Sequence, residues 1–157
     1  EMTSSLVGSE MCIRDRLYPG RNVLIVDFGT AVTIDLVTAD ATFRGGCISP
    51  GMKTRFRALH DYTAKLPLCA ATESEELAGL TTRQAIELGV MNGIAFEIEG
   101  YAARMRSQID DLCVIFTGGD ANFFVKRIKN TIFANCNLVF CGLNRILEYN
   151  ASEEHLN

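Results

Sequence analysis

A run of four apolar residues that ends at a carboxylate is the feature that most constrains this fold. Residues 23–26 read Val-Leu-Ile-Val without a polar side chain, which is typical of a strand buried on both faces. Asp27 follows directly, and the segment 27–30 breaks the run with a turn around Gly29 and Thr30. A strand of this kind must lie inside a sheet that other elements cover on both sides.

The rest of the chain predicts an order of further elements. Residues 31–37 are rich in β-branched side chains, and the polar segment 38–41 predicts a hairpin into a third strand. Met52, Phe56 and Leu59 recur at helical spacing. In chain order, the predicted elements are strands at 23–26, 31–37 and 42–47, a helix from 52, a loop at 65–79, a helix from Thr81 or Thr82 to about Ser107, a strand at 112–116, a helix at 121–130, a strand at 138–141 and a helix at 143–149.

This order predicts a mixed sheet with helices on its faces, because a three-strand meander precedes alternating helices and strands. The same order is found in the ribonuclease-H-like domains of the actin, hexokinase and Hsp70 superfamily, which bind nucleotide between two such domains. Residues 17–150 are predicted to form one domain of this class, and residues 151–157 a tail. Residues 1–16 show no sustained period and predict a non-native or disordered leader, although an ordinary N-terminal tail explains them almost as well.

Composition narrows the function classes. The chain has 157 residues, of which 48% are hydrophobic and 22% charged, as in a globular domain. A net charge of −4 disfavours nucleic-acid and anionic-membrane partners, and no apolar run is long enough to cross a bilayer. Six cysteines without a Cys-x-x-Cys pair disfavour zinc and favour a reducing cytoplasm. The basic run of Lys53, Arg55 and Arg57 is interpreted as a solvated helix face.

Three glycine-containing turns, each after a predicted strand, carry the chemistry. In 27–33 a carboxylate precedes a glycine and two hydroxyl residues, and phosphate transfer needs such donors together with a carboxylate for a cation. The segments 45–51 and 117–120 supply two more turns where open α/β sheets bind ligands. Neither a Walker lysine nor a dinucleotide fingerprint is present. Each turn taken alone is equally compatible with a structural role.

As a set, these motifs closely resemble the type III pantothenate kinases over about residues 17–150. The motifs occur in the order and at the spacing of that family. They are Val26–Ala31 with Thr33 and Asp35, Gly45–Gly51, Ala64–Pro67, Thr82 with Ala85, Thr117–Asp120 and the closing Gly142–Tyr149.

The resemblance implies ATP-dependent phosphorylation of pantothenate to 4'-phosphopantothenate, the first step of coenzyme A synthesis. It implies a cytoplasmic homodimer that uses ATP, Mg²⁺ and a monovalent cation, K⁺ or NH₄⁺, without nucleic-acid or membrane partners. Carried over by position, Asp27 binds the monovalent cation and Thr82 contacts pantothenate at the dimer interface. Gly29 and Thr30 bind ATP, as does the turn Gly118–Gly119.

Two family motifs have no counterpart here. The Asp-x-Gly-Asn-Thr phosphate loop is missing, and the Gly-x-Asp-Arg motif that supplies the general base is matched only by Asp15–Arg16, without its glycine. No catalytic residue is therefore assigned, and we expect little kinase activity from these 157 residues alone. The alternatives are another phosphotransferase of the superfamily, a non-catalytic kinase-like binding module, or a gene fragment without a role.

Overall fold

The computed structural model describes residues 18–128 and 133–134, which form one five-stranded sheet with three helices. The strands follow the spatial order β3-β2-β1-β4-β5. The elements are β1 Val23–Phe28, β2 Ala31–Val37, β3 Phe43–Pro50, α1 Met52–Asp61, α2 Thr82–Arg106, β4 Cys113–Thr117, α3 Ala121–Val125 and β5 Phe133–Ala134.

The pairing is mixed, as the order of elements predicted. Strands β1, β2 and β3 form an antiparallel meander, whereas β4 pairs parallel to β1 and β5 pairs parallel to β4. Asp27 at the end of β1 lies opposite Thr33 on one neighbour and Thr117 on the other. The central strand therefore brings its carboxyl end to the same edge of the sheet as the carboxyl end of β4.

Strand β1 is buried on both faces, which confirms the interpretation of its apolar run. Successive side chains of a strand point to opposite faces. Leu24, Val26 and Phe28 belong to the core formed with the helices, whereas Val23 and Ile25 belong to a second cluster on the other face. All five are at most 1% exposed.

Aromatic rings fix the short helix α3 at the end of β1. The Phe28 ring meets Phe116 edge-on at 4.9 Å between centroids and stacks on Phe124 at 4.7 Å. Such ring pairs contribute roughly 0.5–1.5 kcal/mol beyond their buried area. The turn that joins β4 to α3 is therefore held against β1.

The long helix α2 has the predicted length, and its N-cap is Thr81. The Thr81 hydroxyl accepts the Gln84 N–H at 3.3 Å, and the Gln84 side chain accepts the Thr81 N–H at 3.2 Å. Thr82 is consequently the first residue of the helix rather than its cap. A Cβ added at Gly89 would meet nothing within 4 Å, whereas one added at Gly93, one turn further along α2, would meet the Arg55 side chain of α1 at 3.8 Å.

Element ends differ from the predictions where backbone pairing continues through turn-forming residues. β1 continues to Phe28, and β3 runs through its glycine pair to Pro50, because β2 offers partners along this whole length. Pro50 can end β3 because an edge strand tolerates a missing N–H. Helix α3 ends at Val125 instead of about 130. The predicted leader, the strand at 138–141, the helix at 143–149 and the tail lie outside the described residues.

Three further findings concern membrane-spanning helices, metal-binding clusters and cysteines. Within residues 18–128 and 133–134, no helix is both long enough and apolar enough to cross a membrane. No cluster of three or more His, Cys, Asp or Glu side chains that could hold a metal ion occurs in the same part of the chain. Cys47, Cys69 and Cys113 are free thiols.

Candidate functional site

The turns that follow β1 and β4 meet at one edge of the sheet, because these two strands are parallel neighbours. The Asp120 N–H donates to the Phe28 carbonyl oxygen at 3.1 Å and joins the second turn to the end of β1. Crevices at the carboxyl ends of strands are where open α/β sheets bind ligands. The first and third glycine turns of the sequence are thus adjacent in space.

Gly118 can be replaced by no other residue without strain. Its φ is +92°, a conformation that costs a non-glycine residue roughly 1–2 kcal/mol. A Cβ atom would lie 2.3 Å from Asp27 Oδ1 and 2.6 Å from the Phe28 nitrogen. Its neighbour Gly119 has nothing within 4 Å of the corresponding position, so its backbone is open to a ligand.

The second glycine turn, residues 45–51, lies at the same edge of the sheet, where it contacts Thr30. The Thr30 carbonyl oxygen accepts the Gly51 N–H at 2.9 Å and the Thr54 hydroxyl at 2.7 Å. A Cβ on Gly51 would lie 2.1 Å from the Gly29 carbonyl oxygen, so only glycine allows this approach. The amino end of α1 is therefore fixed beside the β1–β2 turn.

These junctions surround a cavity of about 930 Å³. Three of the residues assigned to ATP, Gly29, Thr30 and Gly119, line it, whereas Gly118 does not line it and packs against Asp27. The hydroxyl of Thr30 has no hydrogen-bond partner among residues 18–128, so it is available to a ligand. The cavity is lined by Phe28, Gly29, Thr30, Met52, Lys53, Thr54, Phe56, Arg57, Leu68, Cys69, Ala70, Ala71, Gly119 and Asp120.

Two cations of this cavity were missed by the sequence analysis. Lys53 and Arg57 line the cavity, although their basic run was interpreted as a solvated helix face. Their i, i+4 spacing just after the Gly51 turn was the available signal, because such residues share one helix face. Asp120 is the acidic side chain of the same wall. The cavity therefore offers positive charge, a free hydroxyl and an open glycine backbone.

Asp27 faces away from this cavity. By strand alternation it shares the face of Val23 and Ile25, and burial raises the pKa of its carboxyl above the ordinary value, with the Asp35 carboxylate raising it further. Thr117, its neighbour on β4, is 2% exposed, and its hydroxyl has no partner among the described residues. A half-buried carboxylate beside an unsatisfied hydroxyl offers two oxygen ligands of the type that hard cations bind.

Thr82 lies in a different place from the ATP-assigned residues. It lines a groove of about 740 Å³ between α1 and α2, together with Ala85 and Gly89. Arg55 borders the same groove, where it donates to the Pro50 carbonyl oxygen at 2.7 Å and pairs with Glu97. The structure does not bring Thr82 into the cavity.

Comparison with protein-family models matches residues 8–104 to the type III pantothenate kinase model, which is more than half of the chain. The matched range begins inside the predicted leader. A type III pantothenate kinase from Flavobacterium psychrophilum is 48% identical over 132 residues, or 84% of this chain and 55% of that protein. One from Christiangramia forsetii is 46% identical over 87% of this chain and 56% of its own length. The chain thus spans about half the length of the curated relatives it matches.

Solved structures agree on the fold. A Campylobacter jejuni protein described as a Baf family transcriptional activator gives a TM-score of 0.62 at 22% identity, over 97% of this chain and 68% of its own. The activator of 2-hydroxyisocaproyl-CoA dehydratase from Clostridium difficile, with bound ADPNP, gives 0.53 at 13% identity, over 99% and 70%. The predicted fold, a mixed sheet with helices on its faces, is confirmed.

Proposed function

Because the chain belongs to the type III pantothenate kinase family, we propose that the protein phosphorylates pantothenate with ATP to give 4'-phosphopantothenate, the first step of coenzyme A synthesis. The observation that carries the proposal is the cavity shared by the β1–β2 turn, the amino end of α1 and the β4–α3 turn. Phosphoryl transfer depends chiefly on positioning and on electrostatic stabilisation of the phosphates. A cavity with backbone donors, a hydroxyl and cations meets both needs.

In this proposal Thr30 and Gly119 hold the phosphate tail. The Thr30 hydroxyl donates to a phosphate oxygen, and the open backbone at Gly119 lets the nucleotide approach closely. Gly29 and Gly118 bind ATP indirectly, since they give the two turns their shape. Mg²⁺ is commonly bound through one or two carboxylates and substrate phosphates, and Asp120 is the carboxylate in the cavity wall.

The monovalent cation, K⁺ or NH₄⁺, is assigned to Asp27 and its surroundings. The fit is supported by the unsatisfied Thr117 hydroxyl and by a half-buried carboxylate without an ion pair in the described residues. A cation bound there offsets the negative charge of Asp27 next to Asp35. Because Asp27 touches Gly118, the same cation stabilises the shape of the β4–α3 turn.

We further propose a cytoplasmic homodimer in which the groove at Thr82 is completed by a second copy. The groove is apolar, and Gly89 and Ala85 leave its α2 side open. A concave apolar surface of this kind is the type of surface that a second protein chain can cover. Thr82 would then contact pantothenate between the two subunits.

The experiment is a coupled assay of ADP formation in the longest natural form of the protein, with pantothenate, with a hexose and without acceptor. Turnover that requires pantothenate supports the proposal, and turnover with the hexose instead identifies a different phosphotransferase of the superfamily. ATP binding without turnover on any acceptor favours the non-catalytic binding module. Thr30→Ala is expected to weaken ATP binding while Thr30→Ser preserves it, because serine retains the hydroxyl.

A further inference from the structure

Helix α1 presents two cations to the cavity one turn apart. Lys53 and Arg57 are both exposed and both line the cavity. Neither makes an ion pair or a side-chain hydrogen bond within residues 18–128. Unpaired cations that line a concave site strengthen its field because field lines are concentrated there.

Helix α1, from which these two side chains extend, is anchored to the sheet at its first turn. Gly51 and Thr54 both bond to the Thr30 carbonyl oxygen, at 2.9 and 2.7 Å, so the first turn of α1 cannot move away from the β1–β2 turn. Met52 and Phe56, which precede the two cations in sequence, are 7% and 3% exposed and anchor the helix in the core. The backbone that carries the two cations is thus anchored next to Thr30.

Arg55, the third cation of the run, has a different role. Its guanidinium donates to the Pro50 carbonyl oxygen at 2.7 Å and to Ser49 Oγ at 3.2 Å, and it pairs with Glu97 on α2. It is therefore engaged in holding α1, β3 and α2 together. The basic run divides into one structural cation and two that remain available to a ligand.

We propose that Lys53 and Arg57 bind the phosphate tail of the nucleotide and give the cavity its preference for nucleoside triphosphates over monophosphates. The inference rests on the proposed function and adds the residues that bind the negatively charged phosphates. The arginine fork and the lysine point charge are both suited to phosphate oxygens. The two positive charges offset the negative charge of the tail within the cavity that Gly119 also lines.

The test measures the affinity of the full 157-residue chain for ATP, AMP and inorganic triphosphate by calorimetry. Lys53→Ala and Arg57→Ala are each expected to weaken ATP binding about threefold, and the double variant about tenfold, since exposed ion pairs contribute modestly. AMP affinity should change by less than about twofold in every variant. The wild-type affinity for ATP should also fall more steeply with salt than its affinity for AMP.

The matched control removes the same charges elsewhere. Arg44 and Lys126 are exposed and lie outside the cavity, so Arg44→Ala/Lys126→Ala should leave ATP affinity unchanged. Equal losses in this control and in the Lys53/Arg57 double variant, or equal losses for ATP and AMP, would overturn the inference. So would a wild-type salt dependence that is the same for ATP and AMP, a result that requires no variant. A wild-type chain that binds no nucleotide would also overturn the inference, whereas the proposed function is decided separately by the turnover assay on the longest natural form.

Discussion

Replacement of Gly118 by alanine tests the β4–α3 turn, where a positive φ and close neighbours both restrict the residue. The added Cβ would meet Asp27 Oδ1 at 2.3 Å and the backbone nitrogen and oxygen of Phe28 at 2.6 and 2.7 Å. Two of these three neighbours are backbone atoms of the central strand, so they cannot turn away as a side chain would. The substitution must therefore distort the turn, β1, or both.

The expected cost follows from two contributions. Holding alanine at φ +92° costs roughly 1–2 kcal/mol, and relieving the overlap with Phe28 and Asp27 costs about 1–3 kcal/mol. The free energy of unfolding should fall by about 3 kcal/mol, which for a chain of this length lowers the melting temperature by roughly 10 °C. Thermal unfolding followed by circular dichroism measures this shift. ATP binding should be weakened in parallel, because Gly119 belongs to the same turn and lines the cavity.

The control is Gly119→Ala, one residue along the same turn. Its Cβ would enter open space, so its melting temperature should stay close to that of the wild type. If Gly118→Ala melted within about 2 °C of Gly119→Ala, the contact with β1 and the requirement for positive φ would both be refuted.

Three further results are expected. Thr81→Ala removes the α2 cap and should lower the free energy of unfolding in urea by about 1 kcal/mol, and an unchanged value would contradict the cap. A double-mutant cycle on Arg55 and Glu97, whose side chains are each 22% exposed, should give a coupling of about 1 kcal/mol, whereas no coupling would show that the pair does not link α1 to α2. The hydroxyl of Thr38 donates to Asp40 at 2.6 Å and lowers its pKa below the ordinary 3.8. The ionised Asp40 therefore stabilises the fold above that pH, and the contribution is lost as the pH falls through the lowered value. Asp40→Asn should flatten the acid-side fall of the melting temperature, and an unchanged profile would contradict the contact.

The sheet was predictable from sequence because its signals are local. The apolar run of β1, the β-branched residues of β2 and the glycines that follow β1, β3 and β4 are all patterns along the chain. Element ends were less predictable, because β3 continues to Pro50 through pairing with β2, which is a non-local interaction. The choice between Thr81 and Thr82 as N-cap likewise depended on whether the Gln84 side chain could accept the Thr81 N–H.

The site was predicted only in part for the same reason. The glycine turns were identified from sequence, but the joining of Thr30 to the amino end of α1 depends on hydrogen bonds between residues more than 20 positions apart. Sequence spacing cannot show that Lys53 and Arg57 line a cavity while Arg55 pairs with Glu97. Burial of a polar atom, as at Thr117, is also a property of packing alone.

A crystal structure of the chain with Mg²⁺ and a non-hydrolysable ATP analogue tests the central claim most directly. The phosphate tail should lie in the cavity between Thr30 and Gly119, with a phosphate oxygen at hydrogen-bonding distance, about 3 Å, from the Thr30 hydroxyl. Phosphates bound in the groove at Thr82, or anywhere else that leaves this cavity empty, would contradict it.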